Sequence, residues 1–210
     1  MSPDSEPGGP DERTRAPGID PGENALVVDP PVDARPPSSR PSDVWSSSTP
    51  LDAHVLWVSL VRTPRACIEQ WNDTFEFEPK AGRIVTPKRD GIDNPDPIVD
   101  ESPFEVVTVR SVGDLTTLGV RITEALREWH DEDVPIVVRF ESISTLLQYV
   151  DLDRTCRFLD QVTGRCVAVD ALAWYHLAAD AHDEDTLERL YGLFDALFEV
   201  ADGEWTVRRR

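Results

Sequence analysis

Apolar and polar positions along this chain alternate between short, almost continuously apolar runs and longer stretches with helical spacing. His54–Leu60 (HVLWVSL), Glu105–Val109 (EVVTV) and Val134–Phe140 (VPIVVRF) are dominated by large apolar and β-branched residues, the pattern of strands buried on both faces. Ala25–Val28 (ALVV) and Val167–Trp174 read the same way, and Arg83–Thr86 is a shorter strand candidate. Between the strands the spacing turns helical. Thr63 is placed as an N-cap with Pro64 at the first helical position, and Cys67, Ile68, Trp71 and Phe75 fall on one face. Asp114 heads a second helix carrying Leu115, Leu118, Ile122, Ala125, Leu126 and Trp129 at three- and four-residue spacing. Ser142 caps a short helix through Tyr149. Asp151 caps a longer one (Leu152, Cys156, Leu159, Val162) that Gly164 is placed to end. A last helix is expected from Asp183 to Asp195, with Leu187, Leu190 and Phe194 inward. Leu197–Val200 and Trp205–Val207, on either side of Asp202-Gly203, predict a terminal hairpin.

Strand–helix alternation with apolar strands predicts an α/β fold: a mostly parallel sheet with helices on both faces, in three layers. Three segments fall outside the pattern. Residues 1–23 hold five prolines and four glycines with almost no large apolar side chain, and are expected to be a disordered acidic tail. Residues 30–53 return to Pro and Ser, and 87–103 read as a polar loop. The expected organisation is a tail over 1–23 and a single domain over 24–210.

Charge narrows the classes of function. The 210 residues carry 40 Asp and Glu against 21 Lys and Arg, a formal net charge of −19. Such a surface repels phosphate, so neither nucleic acid nor anionic membrane is an expected partner. No apolar run approaches the ~20 residues of a membrane span, and the first residues (MSPDSEPGGPDERTR) lack the apolar core of a secretory signal, so a cytoplasmic location is expected. Lys80 and Lys88 are the only lysines, the remaining basic residues being arginine. An acidic excess spread along the whole chain with scarce lysine suits a cytosol at molar salt, where screening suppresses self-repulsion. Cys67, Cys156 and Cys166 are far apart without a CxxC pair and read as small buried hydrophobes in a reducing compartment.

The stretches HVLWVSLVRTP, SVGDLTTLGVRITEALREW, PIVVRFESISTLLQYVDLDRTCRFLDQVTGR and LFDALFEV together resemble an uncharacterised haloarchaeal family, sometimes labelled HTR-like, that is distantly similar to RecA/KaiC-type ATPases. DLTTLG and FESISTLLQYVDLDR are the most specific parts, and the resemblance spans roughly residues 24–200. It implies a RecA-like core. In that class a phosphate loop, G-x-x-x-x-G-K-[ST], follows the first strand, because glycines turn backbone N–H groups toward phosphate and the lysine reaches its outer oxygens. The corresponding segment here, DPPVDARPPSSRPSDVW, has no glycine and no lysine; five prolines offer no N–H, and Asp29, Asp33 and Asp43 oppose an anion. The resemblance matches Glu141 to the magnesium-holding position, Ser59–Arg62 to the general-base position, where no carboxylate stands, and His176 to a polar sensor at a later strand end. Arg139, two residues before Glu141 in a strand, shares its face and is expected to neutralise it. The plainer readings are that Glu141 caps the next helix alongside Ser142 and that His176 is satisfied by hydrogen bonds.

The other constellations carry less. His176, Asp180, His182, Asp183 and Asp185 have metal-ligand chemistry but straddle a strand end, a loop and a helix start, and the acidic ones are explained by N-capping. Arg208–Arg210 read as a solvated terminus. Trp57, Trp71, Trp129 and Trp174 fall on core faces, whereas Trp45 lies in the Pro/Ser segment. The sequence therefore predicts a non-catalytic RecA/KaiC-like module of a halophilic cytosol, regulatory or signalling-associated. It would act by binding a protein partner, with no cofactor, no metal and no catalytic residue. Self-association through sheet edges is compatible with this architecture. The alternative is a nucleotide-binding protein with an unconventional site, for which Glu141, Ser142 and His176 are the candidate contacts.

Overall fold

The computed structural model describes residues 18–29, 50, 52–75, 78–89, 96–201 and 204–210. The tail to residue 17, the segment that corresponds to a phosphate loop, and Trp45 lie outside the described residues. The first half contains β1 (Asn24–Asp29), β2 (His54–Ser59), α1 (Pro64–Thr74), β3 (Ala81–Pro87), α2 (Pro97–Asp100), β4 (Phe104–Val109) and α3 (Leu115–His130). The second contains β5 (Ile136–Glu141), α4 (Ile143–Leu147), α5 (Leu152–Val167), β6 (Leu172–Ala178), α6 (Glu184–Tyr191), β7 (Ala196–Ala201) and β8 (Glu204–Arg209). The strands form an eight-stranded sheet in the order β4-β3-β2-β5-β6-β1-β7-β8. All neighbours pair in parallel except β7 and β8, which form the predicted antiparallel hairpin.

Alternation along the strands divides the core in two. Leu26, Val28, Leu56, Val58, Val138 and Phe140 face α3, α4 and α5, where Leu118, Ile122, Leu146, Leu159 and Val162 complete one cluster. Ala25, Val27, Val55, Trp57, Val137 and Trp174 face the opposite side, under Cys67, Ile68, Trp71 and Phe75 of α1 and its end. The predicted caps hold: the side chains of Thr63, Asp114, Ser142, Asp151 and Asp183 each accept a backbone N–H from the first turn of the helix they open.

Several expectations are corrected. Gly164 does not end its helix. The buried face Leu159, Val162, Thr163 and Cys166 continues past it, and α5 runs to Val167 before Asp170 turns the chain at φ 52°. The strand expected at Val167–Trp174 accordingly begins only at Leu172 and extends to Ala178. The last helix is shorter than its apolar pattern, and Phe194 is buried beyond its end. The polar stretch 87–103 holds the end of β3 and the single turn α2, capped by Asp96. Residues 18–23 pack onto the domain: Ile19 joins the α1-side core, and Gly22, at φ +83°, donates its N–H to Ala171 O at 3.1 Å. The C-terminal arginines are tied down as well. Arg209 reaches Glu23 Oε1 at 3.1 Å and Gly18 O at 2.7 Å, and Arg210 reaches Gly192 O at 2.6 Å.

Because Gly164 is exposed inside α5 with no neighbouring atom within 4 Å of a Cβ placed there, Gly164→Ala should stabilise the protein. The expected gain is about 0.5–1 kcal/mol, read from chemical denaturation; unchanged or lower stability would count against a continuous α5.

Candidate functional site

The chain leaves β2 toward α1 on one face of the sheet and leaves β5 toward α4 and α5 on the other. β2 and β5 are neighbours, so their connections part at the carboxyl ends, which is where a sheet of this kind ordinarily leaves its crevice. Register decides what lines it. Trp57 stands opposite Arg139, Arg139 opposite Trp174, and Ser59 opposite Glu141. His176, one step beyond the last β5–β6 pair, follows beside Glu141 on the α1-facing side.

Glu141 is the centre of this group. Its Oε1 lies 3.3 Å from Arg62 Nε and 3.6 Å from Arg139 Nη2, while its Oε2 accepts from Trp57 Nε1 at 3.4 Å. Arg139 is only 2 % exposed and lies 4.4 Å over the Trp57 ring, a cation–π stack. The expected Arg139–Glu141 pair is therefore present, and Arg62 joins it. Burial alone would push the Glu141 carboxyl up, but the charges of Arg139, His176 and Arg62 outweigh it and hold it below the usual range. At neutral pH the two arginines carry this effect, since burial, then Arg139, push the His176 imidazole down to about 3.

The expectation that Glu141 caps the next helix is corrected: Ser142 alone does so, accepting Thr145 N–H at 3.1 Å. The peptide bond between Glu141 and Ser142 is cis. His176 also departs from expectation. It is buried at 4 % exposure, and its Nε2 has no hydrogen-bond partner among the described residues.

The loop after β2 is pinned from three sides. Ser59 Oγ accepts Arg62 N–H at 3.0 Å, Leu60 N–H donates to Glu141 O at 2.6 Å, and Arg89, just beyond β3, donates to Leu60 O at 2.7 Å and Val61 O at 2.9 Å. This arrangement presents Arg62 to Glu141. Beneath it, burial pushes the Cys67 thiol up to about 11, against a hydrogen bond from Ser59, so it is neutral and unreactive. Arg62 and Arg89 were not read from the sequence as site residues, because nothing local to HVLWVSLVRTP says that β5 is its neighbour.

The 176–185 cluster does not converge. His176 faces the crevice within β6, Asp183 caps α6, and His182 Nε2 sits 2.9 Å from Ser144 Oγ, which also accepts Ala178 N–H at 2.9 Å. Among the described residues no group of three His, Cys, Asp or Glu side chains is placed to hold a metal ion, and no helix is long and apolar enough to cross a membrane.

Solved structures share this architecture. PH0250 from Pyrococcus horikoshii OT3 superposes with a TM-score of 0.55 at 11 % identity, covering 91 % of this chain and 88 % of its own. The flagellar accessory protein FlaH from Methanocaldococcus jannaschii gives 0.51 at 14 % identity, covering 93 % and 80 %. PH0321 from Pyrococcus horikoshii, solved in complex with an unknown peptide, gives 0.51 at 12 % identity, covering 91 % and 94 %. The protein thus has the RecA-like α/β fold of these archaeal structures. By sequence it belongs to a family of unknown function, DUF7504, whose model matches residues 22–200. No curated protein matches it.

Two outcomes test this site. Glu141→Gln leaves Arg139 buried without its anionic partner and should cost about 3 kcal/mol or more in urea denaturation; a loss within experimental scatter would mean that the pair does not organise the crevice. For His176 the sign follows from its lowered folded value. The unfolded imidazole takes up a proton below 6.5 and the folded one only near about 3, so stability is complete above 6.5 and falls with pH below it. Relative to His176→Gln, wild type should lose an additional ~2 kcal/mol between about pH 7 and about pH 5, at ~1.4 kcal/mol per pH unit. Parallel pH profiles for the two proteins would contradict the buried neutral imidazole.

Proposed function

We propose that this protein is a non-catalytic RecA-like module that acts in the cytoplasm by binding a protein partner, in a regulatory or signalling-associated role. One observation carries this reading. The carboxylate that the resemblance matches to the magnesium-holding position, Glu141, is engaged by Arg62, Arg139 and Trp57. A carboxylate paired with two guanidinium groups has little charge left to attract a divalent cation, and recruiting one would strand the buried Arg139. Two features of the sequence agree. The segment after β1 has neither the glycines nor the lysine of a phosphate loop, and Ser59–Arg62 supplies no general base. That PH0321 was solved with a peptide bound supports the same reading, as an instance of this fold meeting a polypeptide. The acidic composition fits a salt-rich cytosol.

A second reading, nucleotide binding without a phosphate loop, is favoured by the unpartnered Nε2 of His176 beside Glu141. Titration calorimetry with Mg·ATP on the full chain in molar KCl separates the two. A flat trace from folded protein, with no ATP hydrolysis, is expected. Saturable binding, or a hydrolysis rate lost in Glu141→Ala, would overturn the binding-module reading and make Glu141 and His176 contacts of the nucleotide.

A further inference from the structure

The two ends of the sheet are not alike. β8 closes one end as a charged strand of a hairpin, with Arg208 bonded to Glu199 and Arg209 to Glu23. β4 closes the other end with FEVVTV, which contains one charge, no proline and no lysine, so it lacks the devices that usually blunt an edge. Its ring-bearing residue Phe104 lies over Gly82, where any Cβ would run into it, and this anchors β4 to β3.

Backbone alternation shows which groups point outward. Gly82 N–H donates to Pro103 O at 3.0 Å and Lys88 N–H donates to Val109 O at 2.7 Å. With the parallel register of Arg83 to Glu105 and Val85 to Val107, the residues that bond to β3 are Glu105, Val107 and Val109. Phe104, Val106 and Thr108 turn their N–H and C=O groups to the edge that no other described strand pairs with, where the Phe104 N–H is taken up locally by Ser102 Oγ at 3.3 Å.

We infer that β4 is the interface between two copies of this chain, joined antiparallel about a two-fold axis at Val106 into one continuous sheet. Val106 is the middle of the outward-facing triplet, so this axis pairs every outward residue with another: Val106 with Val106 of the second copy, and Thr108 with Phe104. The Thr108 N–H then meets the Phe104 C=O, and the reciprocal bond from the Phe104 N–H to the Thr108 C=O is shared with Ser102 Oγ. Side chains agree. Glu105, held by Arg83 at 2.6 Å, lies opposite Val107 rather than another carboxylate. The surface is complementary to itself in backbone hydrogen bonds, and the pairing sets no two like charges opposite each other.

Light scattering on the full chain across a concentration series tests this. The expected mass is twice that of the 23.5 kDa chain. Val106→Pro deletes an outward N–H but no bond to β3, so it should yield a folded monomer with an unchanged circular dichroism spectrum. A wild-type chain that stays monomeric throughout, or a dimer that persists in folded Val106→Pro, overturns the inference. Should that variant fail to fold, oxidative cross-linking decides. A hydrogen-bonded antiparallel pair holds its Cα atoms ~5.5 Å apart, so Val106→Cys should cross-link across the axis above the wild-type background. Thr108→Cys, four residues out of register with its own copy and ~13 Å away, should not. No cross-link in Val106→Cys, or equal cross-linking in both, overturns the two-fold pairing.

Discussion

A guanidinium buried in the middle of a parallel sheet cannot release its proton, so the structure around Arg139 has to supply an anion and a face for it to rest on. Glu141, two residues along the same strand and on the same face, supplies the anion, and the Trp57 ring on the neighbouring strand supplies the face. The consequences reach along the carboxyl edge of the sheet. The Glu141 carboxylate is ionised inside a region where burial opposes charge, Arg62 is drawn in from the β2 loop as its second cation, and the His176 imidazole beside this charge pair stays neutral. The crevice at the switch point of an α/β sheet is where such a fold ordinarily places a ligand. Here Arg62, Arg139 and Trp57 engage Glu141 at that place, and the His176 Nε2 beside them has no hydrogen-bond partner among the described residues.

That closure depends on a loop which is itself constrained. Ser59 fixes the turn that carries Arg62, and Arg89 holds the carbonyls of Leu60 and Val61 from the end of β3. Three adjacent strands therefore contribute to one ion-pair arrangement, and a change in β3 can reach Glu141 through Arg89 without touching it. The many other ion pairs differ in kind. Arg65–Glu69, Arg121–Glu124 and Arg208–Glu199 are exposed and contribute little each. Arg209–Glu23 and the Arg209 bond to Gly18 have a structural role of another sort, since they bind the entry of the chain to its last strand.

Much of this architecture was legible in the residues. Thr63-Pro64, Asp114, Ser142, Asp151 and Asp183 each state locally where a helix begins, because a cap needs only its own side chain and the next few N–H groups. Helix ends and strand starts were less legible. Gly164 resembles a stop, yet the apolar face of α5 continues to Cys166, and burial of that face overrides the single glycine. Ile19 was hidden in a Pro- and Gly-rich context whose composition resembles a disordered tail. The Arg139–Glu141 pair followed from strand periodicity. Arg62 did not, because it lies 79 positions away from Glu141 in sequence.

By itself the sequence determined the alternation of strands and helices, the two-sided burial of the strands, the caps, and the lack of phosphate-loop glycines and lysine after β1. All of these depend on neighbours within a few residues. Only the tertiary structure decided that β2 lies beside β5, that Trp57, Arg62, Arg139, Glu141 and His176 share one crevice, and that Val106 faces outward from an unblunted edge. Strand order is set by which crossovers bury the most apolar surface on each face of the whole sheet, a global quantity that no local pattern encodes.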